Sequence, residues 1–144
     1  MPNGPDNVLD GYYDHIMKAG NLPTLQHARR WSAAVLKVVG TTVGRATKRT
    51  LAKELPRELS EELTGVFWLL HFRDPRLSEA EFRKQVALRG GNSDPEFSRL
   101  TTLAVFGGLK RILPADLEAK MADALPPAVA ALWKMANGQH ASAS

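Results

Sequence analysis

Apolar residues recur three and four apart over most of this chain, which is the period of a helix that buries one face. Val8, Leu9, Tyr12, Ile16 and Ala19 predict a first helix from about Asn7 to Ala19. Asn7 is its expected cap, and Gly20-Asn21 its stop, since both residues tolerate a left-handed conformation. Ala28, Trp31, Val35, Val38 and Val39 predict a second helix from Leu25 to about Thr41, capped by Thr24, with Ala33 and Leu36 widening its face. That run is rich in valine and in isolation reads as a strand; its length and spacing decide for helix. A short third helix spans Arg45 to Glu54, with Val43, Thr47, Leu51 and Leu55 inward. A fourth starts at Pro56 and carries Leu59, Leu63, Val66, Phe67 and Leu70 on one face through Phe72. Asp74-Pro75 stops it, because the residue before proline disfavours helix.

The second half is punctuated the same way. Ser78 followed by Glu81 is a capping box, and Phe82 and Val86 lead to a stop at Gly90-Gly91-Asn92. Ser93 or Asp94 caps the next helix, with Pro95 near its first turn. Its predicted buried stripe is Phe97, Leu100, Thr101, Ala104, Val105, Gly108 and Leu109. Pro114 opens a short helix over Ala115 to Ala124, and Pro126 opens the last, with Val129, Leu132, Trp133 and Ala136 inward and Asn137-Gly138 ending it. Residues 1–6 and 138–144 are expected to be disordered tails.

A shift of seventy residues overlays the halves without a gap. Leu51-Ala52 falls on Met121-Ala122 and Leu55-Pro56 on Leu125-Pro126; Tyr12 falls on Phe82, Ile16 on Val86, Gly20 on Gly90 and Val39 on Leu109. What repeats is apolar position, helix stop and helix start, and the period is too long for a solenoid unit. The expected fold class is therefore all-α: a compact bundle of about eight helices built from two tandem four-helix repeats related by a pseudo-two-fold. The first repeat covers 7–74 and the second 77–137, packed as one globular domain. The leucine-proline corners, the seventy-residue duplication and the all-helical pattern, over roughly Val8 to Ala136, resemble the bacterial family called domain of unknown function 2267. The resemblance implies a compact helical fold without an assigned biochemical activity, and it brings no catalytic motif to these positions.

With 144 residues the chain is long enough to bury a core without staples. It has no cysteine, which removes disulfides, thiolate metal sites and thiol nucleophiles together. The polar N-terminus lacks the apolar stretch of a secretory signal, and the longest apolar run, Val66 to Leu70, is far short of the ~20 residues that span a bilayer. A cytoplasmic, membrane-free protein is the expectation. Net charge is +4, unevenly spread: no acid occurs between His15 and Lys53, while Glu54, Glu58, Glu61 and Glu62 follow directly.

Candidate chemistry is sparse. His15, His27, His71 and His140 have no second histidine at helical spacing, and none stands in an HExxH or ExxH pattern of a metal site. No nucleophile elbow and no phosphate-cradling loop after a strand occur, so no catalytic residue, metal or cofactor is expected. An enzyme would need a polar pocket between the halves, near His71, Arg73 or Tyr12. Gly107-Gly108 inside a helical stripe points to the close approach of a neighbour. Two surfaces stand out. Arg45, Lys48, Arg49 and Lys53 on the third helix, with Arg29 and Arg30 on the second, form a basic face. It reads either as a solvated face paired with the glutamates of helix four or as a nucleic-acid or polyanion contact, although no aromatics interleave with it to stack bases. Trp68, Leu69 and Phe72 either build the interface between the halves or form a surface for a protein partner or self-association. The expected function is a non-enzymatic helical binding or scaffold module, with polyanion binding the alternative.

Overall fold

Eight α-helices, and no strand, make up the described part of the computed structural model, residues 5–65, 76–91 and 94–136. They are α1 (Pro5–Ala19), α2 (Leu25–Thr42), α3 (Arg45–Glu54), α4 (Arg57–Thr64), α5 (Glu79–Gly90), α6 (Pro95–Ile112), α7 (Ala115–Ala124) and α8 (Pro127–Met135). None is long and apolar enough to cross a membrane.

Local chemistry sets the boundaries. The Thr24 side chain accepts from the His27 N–H, Ser78 from Glu81 and Asp94 from Glu96, so α2, α5 and α6 each start with an orphan amide satisfied. Four helices end on an apolar corner whose own N–H closes the last turn: Val43 to the Val39 carbonyl, Leu55 to Leu51, Leu113 to Leu109 and Leu125 to Met121. Each of those side chains is buried, so one residue both ends a helix and pins it to the core. Asn21 and Gly91, just past α1 and α5, both turn left-handed, with φ of 55° and 80°.

Several boundaries differ from the sequence reading. Helix α1 begins at Pro5, so Asn7 lies inside it rather than capping it, and residues 5 and 6 belong to the helix rather than to a tail. Proline fits there because the first-turn N–H has no intrahelical partner. Pro56 and Pro126 sit one position earlier than expected, as N-caps with extended ψ of 151° and 145°. Helix α4 ends at Thr64 with Gly65 as its C-cap, so the expected unbroken run through Phe72 is interrupted there; residues 66–75 and the Asn137-Gly138 stop lie outside the described residues.

α6 is the central element and packs against α1, α2, α5 and α8. Covered from so many sides, it buries far more than one stripe: Ser98, Thr101, Thr102 and Phe106 are inside with Ala104, Val105 and Leu109. Leu100, expected inside, is 45% exposed, because it lies on the strip those neighbours leave open. Two of the buried hydroxyls bond backbone carbonyls, one on α5 and one within α6. Ser98 donates to the Arg83 carbonyl at 2.8 Å and Thr101 to the Ser98 carbonyl at 3.1 Å. Gly108 lets α1 close in: a Cβ there would stand 3.1 Å from the Tyr12 ring.

The core is one cluster running through both halves. Phe82 and Trp133 both pack on Phe106, and Trp31 meets Phe97 edge-on. Tyr12 and Tyr13, also in contact, stand on α1, and their hydroxyls reach other helices: Tyr12 bonds Ser32 at 2.6 Å, and Tyr13 donates to Glu58. Burial holds both phenols above the usual 10.0, and for Tyr13 ionisation would also cost its bond to Glu58.

This sets an alkaline limit. Below about pH 10 the Tyr12 phenol is neutral whether the chain is folded or not, and its contribution is intact. Above that, the unfolded chain ionises and the folded one does not, so stability falls by up to about 1.4 kcal/mol per pH unit for this group. Lys48 and Lys110, held below the usual lysine range mainly by desolvation, act in the opposite sense as pH rises toward 10.5. Urea midpoints followed above about pH 10.5 are expected to decline, and less steeply in Tyr12→Phe. Equal slopes would remove Tyr12 as the cause.

Candidate polyanion interface

α3 is a short helix held by few anchors: Leu51 is buried, and the flanking corners Val43 and Leu55 plug into the core. Thr47, expected inward, is only half-buried. That leaves most of the helix surface to charge. Arg45, Arg49 and Lys53 are all exposed. At 1.5 Å per residue they form a file roughly 12 Å long, drifting about 80° around the helix.

Lys48 behaves differently. It is half-buried and donates to the Gly40 carbonyl at 3.1 Å, which ties α3 back to α2. Desolvation, and then the neighbouring Arg45, holds its ammonium below the usual range. It is a structural lysine rather than part of the open face. Arg29 and Arg30 are exposed but lie near the start of α2, and Arg30 is roughly 18 Å along the axis from its end. Arg29 is also engaged, its guanidinium 5.1 Å from the centre of the Tyr13 ring. The six candidate cations therefore do not form one patch; three of them form a line.

The glutamates of α4 do not neutralise that line. Glu58 accepts from Tyr13, Glu61 pairs with Arg57 at 3.1 Å and Glu62 with Lys37 at 3.5 Å. Arg45, Arg49 and Lys53 have no ion pair with any described residue. The expectation of a basic face paired with helix four is thus corrected: the acids are spent on α1, on α2 and within α4.

Beside the file lies a groove of about 510 Å³ that the sequence did not disclose. Gly44, Arg45, Ala46, Thr47 and Thr50 form one wall, and Lys120, Asp123 and Ala124 of α7 form the other. The N-terminal half of α3 meets the C-terminal half of α7 there. Lys120 is exposed and, like Arg45, has no ion pair with a described residue. The one sequence signal that relates the two walls is the seventy-residue offset between the starts of α3 and α7, at 45 and 115.

Trp68, Leu69, Phe72, His71 and Arg73 lie outside the described residues. Tyr12 is 1% exposed with its hydroxyl on Ser32, so it opens onto no pocket. His15, read as a surface or boundary residue, is buried, while His27 bonds Thr24 at the start of α2. Among the described residues no three His, Asp or Glu side chains gather as a metal site would need. Scanned against protein-family models the chain matches none, and no curated protein matches it.

Proposed function

We propose that this chain is a non-enzymatic helical binding module, made of two tandem copies of one four-helix unit of the kind its resemblance to domain of unknown function 2267 implies. What carries the reading is where the polar groups go. Buried ones join helices: Tyr12 to Ser32, Ser98 to the Arg83 carbonyl, and the Trp133 Nε1 to the Glu118 carbonyl at 3.1 Å. The cations without partners stand outside, on helix faces, where they meet another molecule's surface rather than a small enclosed substrate. Purification of the chain from its host, with identification of what accompanies it, tests the reading. A stoichiometric companion that is not chemically altered is expected; a small molecule that the protein consumes overturns it.

Three observations support the duplication. α2 and α6 have 18 residues each and start seventy apart, at 25 and 95. α3 and α7 have 10 each and start seventy apart, at 45 and 115. The two left-handed residues, 21 and 91, keep the same spacing. The duplication also accounts for an oddity of the core. Thr102 is fully buried and its hydroxyl has no hydrogen-bond partner among the described residues. Its match in the first copy is Ser32, which is bonded to Tyr12; but the match of Tyr12 is Phe82, which has no hydroxyl to offer.

Phe82→Tyr is therefore expected to stabilise the fold by about 1 kcal/mol, the worth of one satisfied buried bond. Urea unfolding checks it, alongside the same change in a Thr102→Ala background, where the gain should vanish. A gain that persists without Thr102, or a loss in both backgrounds, counts against the duplicated geometry.

A second reading, polyanion contact through α3, is favoured by the exposed and unneutralised file Arg45, Arg49 and Lys53. Salt titration of DNA and RNA binding separates it from the first: absence of binding at low ionic strength removes it.

A further inference from the structure

Resting on that second reading, we infer that the groove between α3 and α7 docks the phosphodiester backbone of a duplex nucleic acid, and that Lys120 of the second half completes the site begun by Arg45, Arg49 and Lys53 of the first. Charge complementarity decides the occupant. Arg45 and Lys120 face the same concavity from two helices, and the exposed Arg49 and Lys53 follow Arg45 along α3 outside the lining. The lining itself holds two cations, Arg45 and Lys120, against one acid, Asp123. No aromatic residue lines the groove, so unpaired bases find nothing to stack on, as a single-strand site requires. What remains is backbone contact: sequence-independent, driven by counterion release and strongly weakened by salt. Thr47, half-buried on the same wall and without a hydrogen-bond partner among the described residues, adds a neutral donor for a phosphate oxygen. Lys48 takes no part, since its ammonium is held by the Gly40 carbonyl.

The test is fluorescence anisotropy of the full chain with arbitrary-sequence duplex DNA, duplex RNA and single-stranded DNA across a salt series. Four phosphate contacts predict a slope of log K against log salt of about −3.6 for duplex DNA, falling in magnitude to about −2.7 in Lys120→Ala and in Arg45→Ala. Lys134→Ala, an exposed lysine on α8, should leave the slope unchanged. Binding of both duplexes above the single strand is expected. If Arg49→Ala and Lys53→Ala weaken binding while Lys120→Ala does not, the groove is overturned and the α3 reading survives. If no variant changes the slope, or the wild-type chain does not bind at low salt, both fall. Circular dichroism of each variant secures that a lost slope is not a lost fold.

Discussion

Trp133→Ala is expected to remove about 4 kcal/mol of stability, the largest effect of any single substitution considered for this protein. Large-to-small changes at buried aromatics cost roughly 3–5 kcal/mol, as lost transfer energy plus an unfilled cavity. Trp133 is 2% exposed and stacks edge-on against Phe106 with ring centres 5.1 Å apart. Its Nε1 donates to the Glu118 carbonyl at 3.1 Å, so the same ring also fastens α8 to α7. Lys110 lies 5.3 Å from its centre and donates to the Ala136 carbonyl at 2.9 Å, closing the end of α8 over the ring. Domains of this kind are stable by only about 5–15 kcal/mol, so the loss consumes a large share of the total. Trp133→Phe keeps most of the packing and gives up the donor, and should cost nearer 1–2 kcal/mol. Urea unfolding followed by circular dichroism measures both. A loss under about 1 kcal/mol for the alanine variant contradicts the burial of this ring.

Gly40→Ala is expected to destabilise by about 2–3 kcal/mol, although alanine is the better helix former by about 1 kcal/mol. A Cβ at Gly40 would stand 2.2 Å from the Leu63 carbonyl oxygen, so α2 and α4 touch through bare backbone. Backbone does not swing aside as a flexible side chain does. The helices must separate, and Leu59 and Leu63, both fully buried, lose packing with them. Gly11 supplies the control. It is exposed within α1 and has nothing within 4 Å of its Cβ position. Gly11→Ala should therefore stabilise by about 0.5–1 kcal/mol. The opposite signs of two identical substitutions, read as shifts of the urea midpoint, are the check. A Gly40→Ala variant as stable as the parent would show that the α2–α4 contact is looser than this packing requires.

Which segments are helices, and where most of them stop, is written in the chain itself. Apolar spacing along α2, the capping hydroxyls of Thr24 and Ser78, and the corner residues Leu55 and Leu125 each act within a few residues of themselves. Their effect is local and can be read locally. It also put Arg45, Arg49 and Lys53 on one side of α3, because four-residue spacing fixes that at once. What each face meets follows from the packing of the helices. The spacing in α6 put Leu100 in the buried stripe and left Thr102 out of it, yet the first is exposed and the second buried, because neighbours from four other helices cover Thr102 and leave Leu100 open. Lys48 sits within the same basic run as Arg49 but is withdrawn to the Gly40 carbonyl. Lys120, seventy-five residues from Arg45 in the chain (45 to 120), shares its groove. The reason is physical. A helix face is set by backbone geometry that each residue carries with it, whereas the partner of a charge or a hydroxyl is set by how helices pack, and that depends on every buried side chain at once.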